Sequence, residues 1–179
     1  MRVHGSGYDR TYDFGRYGRT YGMLGSEGEG QLRIWTNFQQ YIAGENATGR
    51  TTTELLYKTT AEQDQKIIEY YDRLVAGKQP NSARGDYMKQ YKIQDYHAAN
   101  SNCTTVALDG MEQGLPSEVT APFRSNQNHV GRGLGYFEKS ALNAQKTTAG
   151  IVMPLDLLET ATSQNKATKT IIHQAGGSQ

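Results

Sequence analysis

The segment Thr60-Ala61-Glu62-Gln63 is the strongest constraint on the fold of this chain. A threonine followed three residues later by glutamine is a capping box, in which each side chain takes up a backbone N–H that the helix start leaves unpaired. Ile67, Ile68, Tyr71, Leu74 and Val75 then fall on one face at helical spacing, and Gly77 ends the run. A long amphipathic helix of this kind needs an apolar surface to cover its stripe. The flanking segments supply β-type sequence: Thr51–Tyr57 before it, and a loosely alternating Tyr87–Tyr96 after it. Helices packed on a small antiparallel sheet, an α+β domain, follow from that order.

The remaining segments are read the same way. Residues 2–24, rich in Gly, Tyr and Arg, suggest two short strands joined by a Gly/Asp turn, and 25–30 a Gly/Glu loop. Gln31–Ile42 reads as a strand, with a short helix as the alternative, and Gly44–Gly49 as a turn. Lys78–Asp86 is a polar loop whose Arg84-Gly85-Asp86 is a chance tripeptide. A long loop carrying His129 leads to a helix at about Tyr136–Gln145. Ile151–Met153 is expected as a short strand and Pro154–Leu158 as a short helix. Residues 1–160 form the domain, and 161–179 a polar, flexible tail.

With Lys and Arg at 19 against Asp and Glu at 18, the net charge of +1 gives no reason to propose nucleic acid as a partner, despite interleaved Arg and Tyr near the start. No apolar run approaches the roughly 18 residues of a membrane span, so no stable membrane insertion is expected. No signal peptide is visible. The spacing of His and Cys matches no zinc motif, and neither metal nor organic cofactor is expected.

Cys103 is the single cysteine, so it is either buried filler or a reactive thiol. It follows Asn100-Ser101-Asn102 and precedes an apolar face of Val106, Ala107, Gly110 and Met111, with Gly114 and Pro116 as stop signals. A thiol in the first turn of a helix meets unpaired N–H groups and the positive dipole end, which favour thiolate and can hold an oxyanion. Asn102 is a cap and a candidate oxyanion donor. Thiol catalysis also needs an imidazole. His173 lies in the tail, His97 is close in sequence to Cys103, His129 sits in a Gly-rich loop, and His4 lies on the first strand.

The chain resembles the circularly permuted papain-like superfamily, which includes NlpC-type peptidoglycan hydrolases, lecithin-retinol acyltransferase relatives and the Lnb-type periplasmic domain. The resemblance covers roughly residues 3–115. It is carried by His4, by Thr11-Tyr12-Asp13-Phe14-Gly15, and by Tyr96 with Asn102-Cys103-Thr104-Thr105 and Asp109, with an echo at Met153-Pro154-Leu155-Asp156-Leu157. One departure is that only three residues precede His4. The resemblance implies a papain-like fold, Cys103 as nucleophile, His4 as its base, Asp13 (or Asp9) as the orienting residue, and Tyr96 as a hydrogen-bonding neighbour of the thiolate. Asp109 is read as a helix-face residue. It further implies a cysteine peptidase or amidase acting on peptidoglycan peptides. Small members of this type resemble toxins of type VI secretion, which reach a target-cell periplasm without a signal peptide and are neutralised by an immunity protein. The alternatives are a thiol acyltransferase or lipid-ester hydrolase, which would want an apolar groove and a membrane-attaching segment, neither evident in the sequence, and a non-catalytic binding module.

Overall fold

The computed structural model describes residues 1–21, 27–125, 128, 130–144 and 150–175, of which 141–144 by backbone alone. It is α+β. The main sheet is antiparallel and carries β1 (Arg2–Gly5), β2 (Tyr8–Gly15), β4 (Glu27–Trp35), β7 (Met88–His97) and β6 (Ser82–Arg84) in the order β1-β2-β4-β7-β6, with β3 (Thr20–Tyr21) pairing β4. One face is covered by α2 (Ala61–Val75) and α3 (Cys103–Gly114). Val3, Tyr12, Phe14 and Leu32 from the strands meet Ile67, Ile68, Tyr71 and Val106 from the helices there. Tyr12 and Tyr71 stack with ring centroids 3.8 Å apart.

The capping box forms as expected: Thr60 N donates to Gln63 Oε1 at 2.8 Å, and Gln63 N to Thr60 Oγ1 at 3.2 Å. The two helices approach closely because α3 presents glycine. A Cβ at Gly110 would lie 2.6 Å from the Tyr71 hydroxyl, and one at Gly114 would lie 2.5 Å from the Gln63 carbonyl. A second core joins Leu108 and Met111 of α3 to Phe123, Ile151 and Ala161. It lies against α4 (Ser117–Thr120), the 3-10 turn Ala121–Arg124, and α6 (Pro154–Ser163). The segment α5 (Tyr136–Ala144) exposes Tyr136 and Phe137.

Several expectations change. The single strand read over 31–42 is the end of β4 followed by α1 (Phe38–Ala47), whose start Asn37 caps by accepting from Gln40 N. The Gly/Glu loop is part of β4 from Glu27 onward, and the turn at 44–49 is in part the last turn of α1. Ile151–Val152 is a buried segment, not a strand, tied to Phe123 O through Ile151 N at 2.9 Å. The last helix runs on to Ser163. The tail is partly ordered: Lys169–His173 is β8, which pairs antiparallel with β5 (Thr52–Leu56) in a separate two-stranded sheet. The sequence hides this strand because its only apolar residues, Ile171 and Ile172, are an adjacent pair in an otherwise polar stretch.

Candidate active site

Cys103 opens α3, as its sequence predicts, and the cap explains why the helix starts there. Asn102 Oδ1 accepts the N–H groups of Thr104 and Thr105 at 2.9 and 3.1 Å, while Thr105 Oγ1 accepts Asn102 N–H at 2.9 Å. The Asn102 amide nitrogen donates to Ala98 O at 2.6 Å and Val152 O at 3.0 Å. Both of its N–H bonds are therefore committed. Asn102 is a cap and does not serve as an oxyanion donor. Cys103 N–H is the first-turn amide that the cap leaves over.

Cys103 lines a cavity of about 150 Å³ together with Met1, Tyr12, Asp13, Phe14, Tyr41 and Tyr71. Three successive residues of β2 reach it because the cavity lies at the edge of that strand, beside the Met1–Tyr12 pairing. Asp13 is held by the Tyr17 hydroxyl, which is 2.8 Å from both carboxylate oxygens. The guanidinium of Arg33 lies 3.4 Å over the Tyr17 ring and fixes it in turn. Burial, followed by the charge of Asp13, pushes the Tyr17 and Tyr41 hydroxyls well above their ordinary range, so both remain proton donors. Tyr96 is raised by burial first and by Cys103 second, and its ring lies 5.9 Å from that of Phe14.

The electrostatics of the thiol differ from the sequence expectation. Cys103 is exposed, but loss of water to the surrounding protein is the largest influence on its thiol and pushes the pKa up, and Asp13 adds to the rise. The hydroxyl and amide of Thr104 and the Met1 ammonium act the other way. The first-turn position is thus outweighed, and the resting group is a thiol.

His4 and Asp13 share a face of the sheet but not a neighbourhood. His4 pairs with Asp9, and Asp13 lies four register positions along β2. At about 3.3 Å per residue this is roughly 13 Å, beyond hydrogen-bond reach. His4 instead lines a groove of about 1200 Å³, at the end where Tyr8 and Thr59 both donate to Asp64 at 2.5 and 2.6 Å. Met1, Tyr41 and Ala107 line both spaces, so the groove continues into the Cys103 cavity. Its wall is mainly apolar, including Leu55, Met111 and Leu157. This groove, invisible in the sequence, supplies one of the two features that the acyl-ester alternative wants.

The other candidates are placed elsewhere. Asp9 pairs with Arg2 at 2.9 Å, and Asp109 with Arg124 at 2.5 Å. His97 Nδ1 accepts Ala99 N–H at 3.2 Å, and its Nε2 is 3.6 Å from Glu27. His173 contacts Glu54 at 3.2 Å and the Phe38 ring. His129 lies outside the described residues. Asp156, from the echoed segment, is fully buried and binds the N–H groups of Val130, Gly131 and Arg132 together with the Arg132 guanidinium. No helix among the described residues is long and apolar enough to cross a membrane. No family model, curated protein or solved structure matches the chain.

Proposed function

We propose that the protein is a cysteine hydrolase that cleaves an amide bond, with the peptides of bacterial peptidoglycan as its substrate. The observation that supports this reading is a helix-opening thiol and a carboxylate in one cavity, at the end of a groove large enough for a chain-like substrate. In this reading the Cys103 sulphur attacks the amide carbonyl carbon, and the Cys103 N–H binds the oxygen as it gains charge. The thiol proton passes to a base and then to the leaving nitrogen as the C–N bond breaks. Water hydrolyses the thioester and restores the thiol. Asp13 lines the same cavity as the thiol, and His4, the base that the resemblance implies, lines the adjoining groove. Papain-like permutation, secretion as an antibacterial effector of the type VI kind, action in the target-cell periplasm and an immunity protein belong to the same proposal through the resemblance.

The test is expression in a Gram-negative host. Protein directed to the periplasm is expected to round or lyse cells, and folded Cys103→Ala to be harmless, since losing a nucleophile costs orders of magnitude in rate. Cytoplasmic expression is expected to be tolerated. Killing from the cytoplasm alone would move the substrate to a cytoplasmic amide. A second reading, acyl transfer or lipid-ester hydrolysis, is favoured by the apolar groove wall; faster turnover of long-chain thioesters than of peptides would establish it.

A further inference from the structure

The groove runs along the free edge of a strand. Every residue from Thr51 to Thr59 lines it, so side chains from both faces of β5 border the same space. A groove lying over one face of a strand would meet alternate residues only. The partner strand β8 contributes none of its residues 169–173 to the lining, and Thr168, just before it, lines the groove at the Leu56 end. The groove therefore lies on the side of β5 away from β8.

The direction of the backbone groups follows from one bond. Leu56 O accepts Thr168 N–H at 2.7 Å, so Leu56 points its backbone toward β8. In an antiparallel ladder successive residues point to opposite edges. Glu54 and Thr52 thus share the direction of Leu56, and Thr53 and Leu55 turn their N–H and C=O groups to the groove. Across the groove stand the apolar side chains of α3 and α6, including Met111 and Leu157. At the Arg50–Thr52 end, the groove meets Tyr41, which also borders the Cys103 cavity.

We propose that β5 is a docking strand: an extended peptide adds to its free edge, pairs with Thr53 and Leu55, and lays alternate apolar side chains against α3 and α6. An acyl chain fits the apolar wall but leaves the backbone edge unpaired, whereas a strand uses both. The proposal deepens the hydrolase reading, which decides what becomes of the peptide; where the peptide lies is independent of it.

The experiment uses Cys103→Ala, so that binding is read without turnover. The probe is an acetylated and amidated Leu-Thr-Leu-Thr-Leu peptide, followed by calorimetry and by amide hydrogen exchange at Thr53 and Leu55. Binding is expected to slow exchange at both amides. Thr53→Pro removes one edge N–H where an edge strand tolerates proline, and should weaken binding by roughly fivefold to tenfold, as the loss of one hydrogen bond does. Thr53→Ala should bind as the parent does. A probe N-methylated at its alternate amides should bind no better than Thr53→Pro binds the parent peptide. Dodecanoate binding while the peptide fails to bind, or unchanged affinity for the N-methylated probe, would overturn the docking strand. Peptide binding with no fragment release from purified peptidoglycan by the wild-type protein would leave the docking strand standing and remove the hydrolase reading.

Discussion

Asn102→Ala should destabilise the protein by about 2–4 kcal/mol, more than an ordinary helix cap. The side chain is 2 % exposed and makes four hydrogen bonds, two as acceptor from the first turn of α3 and two as donor to Ala98 O and Val152 O. Loss of the cap alone costs about 1 kcal/mol. The orphaned Val152 carbonyl adds about 1–3 kcal/mol more, because Asn102 bonds it in a dry interior, whereas Ala98 is exposed and its carbonyl can turn to water. Val152 is itself 1 % exposed, so water does not readily replace the amide. Urea unfolding at 25 °C, with unchanged m-value, measures the difference directly. Asn102→Ser, which keeps a cap oxygen but loses the donors, should fall between wild type and alanine. A loss below about 1 kcal/mol for alanine would show that the Asn102–Val152 tie contributes nothing, and that Asn102 is an ordinary surface-type cap.

Three further outcomes follow from the structure. Asp13→Asn should speed iodoacetamide alkylation of Cys103 at pH 8, because Asp13 is among the groups that raise the thiol, while amide turnover falls; slower alkylation would make Asp13 the group that generates thiolate. Asp156→Asn should cost about 3 kcal/mol near neutrality by chemical denaturation, since it breaks a buried carboxylate clamp. Asp156 is held below the ordinary carboxylate range despite burial, by Arg132 and by the backbone N–H groups. Its contribution is therefore present above the unfolded pKa of about 3.9 and lost as pH falls below it, so the wild-type advantage should shrink under acid. Gly110→Ala should destabilise the fold although alanine is the better helix former, because its methyl group would meet the Tyr71 ring; a rise in melting temperature would contradict that packing.

The parts of the fold legible in the sequence are those written locally. The Thr60–Gln63 box and the Ile67, Ile68, Tyr71 stripe specify α2 within one segment, and both are as read. Asn102 before Cys103 likewise marks the start of α3, with Val106, Gly110 and Met111 buried. What the sequence hides is written between distant segments. β5 finds β8 across more than a hundred residues, so the tail reads as polar chain rather than as a strand. The Cys103–Asp13 cavity depends on where β2 ends against α3, and the separation of His4 from Asp13 depends on a hairpin register that no local pattern fixes. The groove is the space left between β5, α3 and α6, and no single segment encodes it.

Cys103 as the acyl-accepting nucleophile is tested most directly by acid-quenching the protein during digestion of purified peptidoglycan and mapping the mass on the Cys103 peptide. The account predicts a thioester adduct at Cys103, soluble peptide fragments released by the wild type, and neither adduct nor fragments with Cys103→Ala. Fragment release that survives Cys103→Ala would contradict it.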